Sequence, residues 1–175
     1  SQEDIESILS CIALIMNYRI PARDLQDFED LKETLDAFMA DVSELQSAVN
    51  DRSKLEKAIT TLREKYAGSE MDFDVDTVLE DVIKSAEEAI DTKERIWRQN
   101  HLTLGDRTRA TIHTWKESTR ILPAYLSQAT IQAVEAMRIE ADQLISEAMI
   151  EDVVFYFKKL NAEERKHCLE LLLHQ

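Results

Sequence analysis

The stretch FEDLKETLDAFMADVSELQSAV, residues 28–49, decides the fold. Within it Phe28, Leu31, Leu35, Phe38, Val42, Leu45 and Val49 recur in an unbroken alternation of threes and fours. An α-helix turns once in 3.6 residues, so this spacing gathers them on one face, whereas a strand would scatter them over two. The flanks of the stripe are acidic, as expected of a coiled-coil-like packing seam with solvated edges.

The same period continues in both directions. Upstream, Ile5, Ile8, Leu9, Ile12, Ile15 and Met16 predict a first helix over 4–17 that is central to the core, stopped before Pro21. Downstream, Ser53 and Glu56 read as a capping box for a helix carrying Leu55, Ile59, Leu62 and Tyr66, with Gly68 as its stop. Asp72 to Asp76 suit the start of a helix bearing Leu79, Val82, Ile83, Ala86, Ile90 and Trp97, which fades by Asn100. Gly105 marks a loop, and Pro123 fits the first turn of a long helix. That helix carries Leu126, Ala133, Met137, Ala141, Leu144 and Ala148, and its pattern runs on toward Leu160 over roughly 50 Å. Asn161 to Glu164 cap a last short helix. The expected fold is all-α, an elongated bundle of six or seven helices forming a single domain over 1–175, with sub-bundles at 1–100 and 106–175.

Composition agrees with this reading. Among 175 residues there are only two glycines and two prolines, too few for the reversals a sheet protein needs. A hydrophobic fraction of 44% with 32% charged residues is that of a globular chain. Cys11 and Cys168 lie at opposite ends without C-x-x-C spacing, so a reducing intracellular compartment, cytoplasmic or nuclear, is expected. Cys11 reads as a small buried hydrophobe beside the first stripe. No apolar run approaches the about 18–20 residues of a membrane span. Because the chain starts at Ser1, a fragment of a larger protein is expected.

Charge is unevenly placed in a chain of net −14. Residues 1–51 hold 12 acidic and 3 basic side chains, while residues 93–120 hold 7 basic and 3 acidic. The overall acidity disfavours nucleic-acid binding, which depends on clustered Lys and Arg. On a helix over 107–120, Thr108, Ile112, Trp115, Thr119 and Leu122 form one stripe, and Arg109, His113, Lys116 and Arg120 the next. The second stripe borders the buried one, so it either matches the acidic flank of residues 24–51 or meets a partner.

Two resemblances attach to these stretches. His113, Trp115, Lys116, Ser118, Leu122 and Ala124 resemble the histidine-phosphotransfer signature, with Glu117 and Pro123 where that family carries glycine. The resemblance implies a phosphorelay role for His113, steadied by Lys116. Residues 31–98, through LKETL, AITTLREKY and IWRQ, resemble the bundles of the elongation factor S-II N-terminal and integrase-binding domains. That resemblance implies a nuclear adaptor binding short disordered motifs.

Other chemistry is sparse. Glu164 and His167 have the Glu-x-x-His spacing of di-iron bundles, but no second such motif accompanies them. Isolated glycines cannot build a phosphate-binding loop, and no Ser, His and Asp arrangement stands out. No enzymatic activity, cofactor, metal or small-molecule substrate is expected. At the C-terminus the apolar residues stop obeying a stripe: Val153 to Phe157 and Leu169, Leu171, Leu172 and Leu173 run around their helices. A helix buries one face against a bundle, so either these segments pack against the first helix or they form an exposed contact surface. The expected function is a protein-interaction or scaffolding module that takes a partner helix, a short motif or a second copy of itself. The candidate contact residues are Arg109, His113, Lys116, Arg120, Phe155, Phe157, Leu169, Leu172 and Leu173.

Overall fold

A computed structural model describes residues 2–16, 22–67 and 75–174. Among them are seven α-helices and no strand: α1 (Gln2–Met16), α2 (Ala22–Ser47), α3 (Arg52–Tyr66), α4 (Val75–His101), α5 (Arg109–Ser118), α6 (Gln128–Lys159) and α7 (Ala162–Leu173). The chain is an all-α helical bundle, divided into two compact units. One is Ser1–Trp97 with Pro123–Ser127; the other is Arg98–Leu122 with Gln128–Gln175.

The first unit is organised by the seam in α2. Leu35, Phe38, Val42 and Leu45 are fully buried, and Phe28, Leu31 and Val49 are partly buried at its ends. Around them pack Ile5 and Ile12 of α1, Leu55, Ile59, Leu62 and Tyr66 of α3, and Leu79, Ile83, Ala86 and Ile90 of α4. The ring of Phe38 meets Tyr66 edge to face at 5.1 Å, an arrangement that places positive ring edge on negative ring face. The Tyr66 hydroxyl donates to Asp41 at 2.5 Å, and Lys65 donates to the same carboxylate at 2.6 Å. Burial, reinforced by Asp41, raises the Tyr66 phenol well above its usual range.

Arg52 fastens the segment 123–127 to this unit. Its guanidinium donates to the Tyr125 carbonyl at 3.2 Å, to Asp91 at 3.0 Å and to buried Glu94 at 2.7 Å. Glu94 also accepts from the Ser127 amide at 3.1 Å and from the Ser127 hydroxyl. A buried carboxylate persists only when its oxygens are bonded in this way. No buried side-chain polar atom among the described residues lacks a partner.

Three local expectations are corrected. The cap of α3 is Asp51, which accepts from the Lys54 amide at 3.1 Å, so Ser53 lies inside the first turn. An aspartate two positions earlier competes for the same free amides and adds a charge favourable to the helix dipole. Pro123 does not open α6; its carbonyl accepts from the Leu126 amide at 3.2 Å in a turn, and the helix starts five residues later at Gln128. Cys11 is exposed rather than buried, because the α1 core face runs through Ile5 and Ile12 with Leu9 beside it. Gly68 and Asp72 to Asp74 lie outside the described residues. The cap of α7 is as the sequence suggests: Asn161 accepts from the Glu164 amide at 2.9 Å and Glu164 accepts from the Asn161 amide at 2.8 Å.

Candidate protein-docking surface

The second unit is built on α6, which at 32 residues is about 48 Å long. Its first half is a core element. Thr130, Val134 and Ala141 are buried, and Ile112, Trp115 and Thr119 of the α5 segment and Leu104 of the preceding loop are buried in the same unit. The Trp115 indole donates to the His101 carbonyl at 2.5 Å, and Arg98 donates to Thr130 at 3.0 Å. Arg138 donates to the Thr119 carbonyl and, at 3.1 Å, to the Thr119 hydroxyl, while its guanidinium lies over the Trp115 ring at 5.9 Å. The cation thus satisfies the frayed end of α5 and packs on an aromatic face at once.

The start of α5 is set by a compact polar turn. Gly105 takes φ +61°, where an added Cβ would lie 3.0 Å from the Thr111 methyl. Asp106 accepts from the Thr111 hydroxyl at 2.5 Å and from the Thr108 amide at 3.3 Å, and Thr108 caps the helix. The Thr111 hydrogen bond, with that from Thr108, holds the Asp106 carboxyl below the usual range.

The basic stripe finds its carboxylates on α6, whereas the charge distribution along the sequence points to residues 24–51. Arg109 pairs with Asp152 at 2.7 Å, Lys116 with Asp142 at 2.5 Å and Arg107 with Glu140 at 3.0 Å. The pairings Thr119 to Arg138, Lys116 to Asp142 and Arg109 to Asp152 run in opposite chain order, so α5 lies antiparallel to α6. His113 and Arg120 are exposed and have no ion-pair partner among the described residues. Lys116, which the phosphotransfer resemblance makes a phosphoryl-steadying group, has its ammonium on Asp142.

Beyond Ala141 no residue of α6 is buried, and α7 has no buried residue. The two helices nevertheless form a defined hairpin. Leu160 closes the turn through its amide to the Phe157 carbonyl at 3.1 Å, and the Asn161 capping box starts α7. Arg165 donates to the carbonyls of Phe157 at 3.2 Å and Lys158 at 2.6 Å, and its guanidinium lies over the Phe157 ring at 5.7 Å. A cation on the last carbonyls of α6 satisfies orphan acceptors and opposes the negative end of the helix dipole.

Between the helices lies an open groove of about 740 Å³. Val153, Val154, Tyr156 and Phe157 line it from α6, Leu160 from the turn, and Cys168, Leu169 and Leu172 from α7. These positions follow the three-and-four spacing of one face on each helix. Of the expected contact residues, Phe157, Leu169 and Leu172 meet in this groove; Phe155 and Leu173 are exposed but do not line it. Phe155 lies on the far side of α6, with the Lys159 ammonium 4.2 Å from its ring. Val153, Val154, Tyr156, Leu160 and Cys168 complete the uncharged lining, to which Asp152, Lys158 and Arg165 add charge, and the three-and-four spacing from Phe157 was the signal that points to the uncharged ones.

Two other concavities mix polar and apolar lining. One of about 450 Å³ in the first unit includes Gln2, Gln46 and Asp81, and another of about 470 Å³ is ringed by Asp41, Glu44, Lys54, Lys57 and Lys65. The Glu164 carboxylate, half of the Glu-x-x-His pair, is committed to the α7 cap. No cluster of three His, Cys, Asp or Glu side chains able to hold a metal occurs among the described residues. No described helix is long and apolar enough to cross a membrane. No family model, curated protein or solved structure matches the chain.

Proposed function

We propose that the chain is a non-enzymatic protein-interaction module whose docking surface is the groove of the α6–α7 hairpin. The observation that carries this reading is α7 itself: Leu169, Leu171, Leu172 and Leu173 are 48–81% exposed on a helix that buries nothing. Isolated exposed leucines are ordinary, but a contiguous apolar face on two braced helices is characteristic of a contact surface. Covering a half-exposed leucine or valine returns roughly 1 kcal/mol apiece, so a handful of these side chains supplies useful affinity. Arg109 reaches this surface through its ion pair with Asp152, which lines the groove, and Lys116 pairs with Asp142 further up α6.

The reading also fits the free thiols of Cys11 and Cys168, which suit a reducing intracellular compartment. Photo-crosslinking tests it. Benzoylphenylalanine is placed in turn at Phe157, Leu172, Arg120 and Ile121, the last being an exposed apolar residue outside the groove. Protein adducts confined to positions 157 and 172 are expected. Equal adduct formation at 121, or adducts at 120 alone, would overturn the assignment.

A further inference from the structure

We draw no further inference here: the strongest candidate, the open groove between α6 and α7, is an unpartnered apolar face, and nothing in the structure shows what covers it.

Discussion

Helix α2 and the distal half of α6 are both rich in large apolar residues, yet they do opposite things with them. In α2 the apolar side chains follow one stripe, and Leu35, Phe38, Val42 and Leu45 vanish into a core. In α6 beyond Ala141 they occur at consecutive positions, and Met149, Ile150, Val153, Val154, Phe155 and Tyr156 are all 44–64% exposed. Apolar content alone does not say whether a helix is inside a domain. Order along the chain does, because one face is what a bundle covers.

The sharpest way to break this contrast is to put a charge into each region. Leu35→Asp is expected to lower the stability of the first unit by about 4 kcal/mol, since an unpaired carboxylate replaces a fully buried side chain; urea unfolding measures it. The double change Leu169→Glu and Leu172→Glu is expected to alter unfolding by less than about 0.5 kcal/mol while removing partner adducts at position 157. Comparable losses at both places would erase the distinction.

Arg138→Ala sharpens the comparison inside the second unit, between the core half of α6 and its free half. The loss of the hydrogen bonds to Thr119 and of the cation on Trp115 is expected to cost about 2 kcal/mol in thermal unfolding, with partner adducts at positions 157 and 172 of the folded protein unchanged. Fewer adducts with unaltered stability would contradict the division of labour along α6.

The stripe in α2 was legible because burial there is decided by periodicity, and Leu35, Phe38, Val42 and Leu45 are buried as their spacing dictates. The α7 cap was legible because the capping box is local, with Asn161 and Glu164 three residues apart. The groove was legible only as a departure from a stripe around 153–157 and 169–173. Which of those residues line it depends on where the hairpin turns, so Phe155 and Leu173 fall away while Cys168 and Leu160 enter. The partners of Arg109 and Lys116 were not legible, since a sum of charges over a segment does not determine which acidic helix comes within about 4 Å. The α3 cap was misread at Ser53, because the Ser53–Glu56 spacing says nothing of the extended backbone that makes Asp51 the cap.

A smaller effect concerns pH. The raised Tyr66 phenol stays protonated in the folded protein at pH values where the unfolded chain ionises. Its stabilising contribution is therefore complete below about pH 10 and is lost as pH rises further toward the folded value. Tyr66→Phe is expected to cost about 1 kcal/mol at neutral pH through the lost bond to Asp41, and to flatten the alkaline decline. An unchanged alkaline limb in that variant would assign the decline to other groups.

The central claim is that α7 and the distal half of α6 form the protein-docking surface. Hydrogen exchange recorded with and without a protein captured at position 157 tests it most directly, because a bound partner slows exchange of the amides it covers. The account predicts that amides of residues 150–173 become slower to exchange with the partner bound, while those of α2 remain as they were. Exchange in the hairpin that is unchanged by the partner would contradict it.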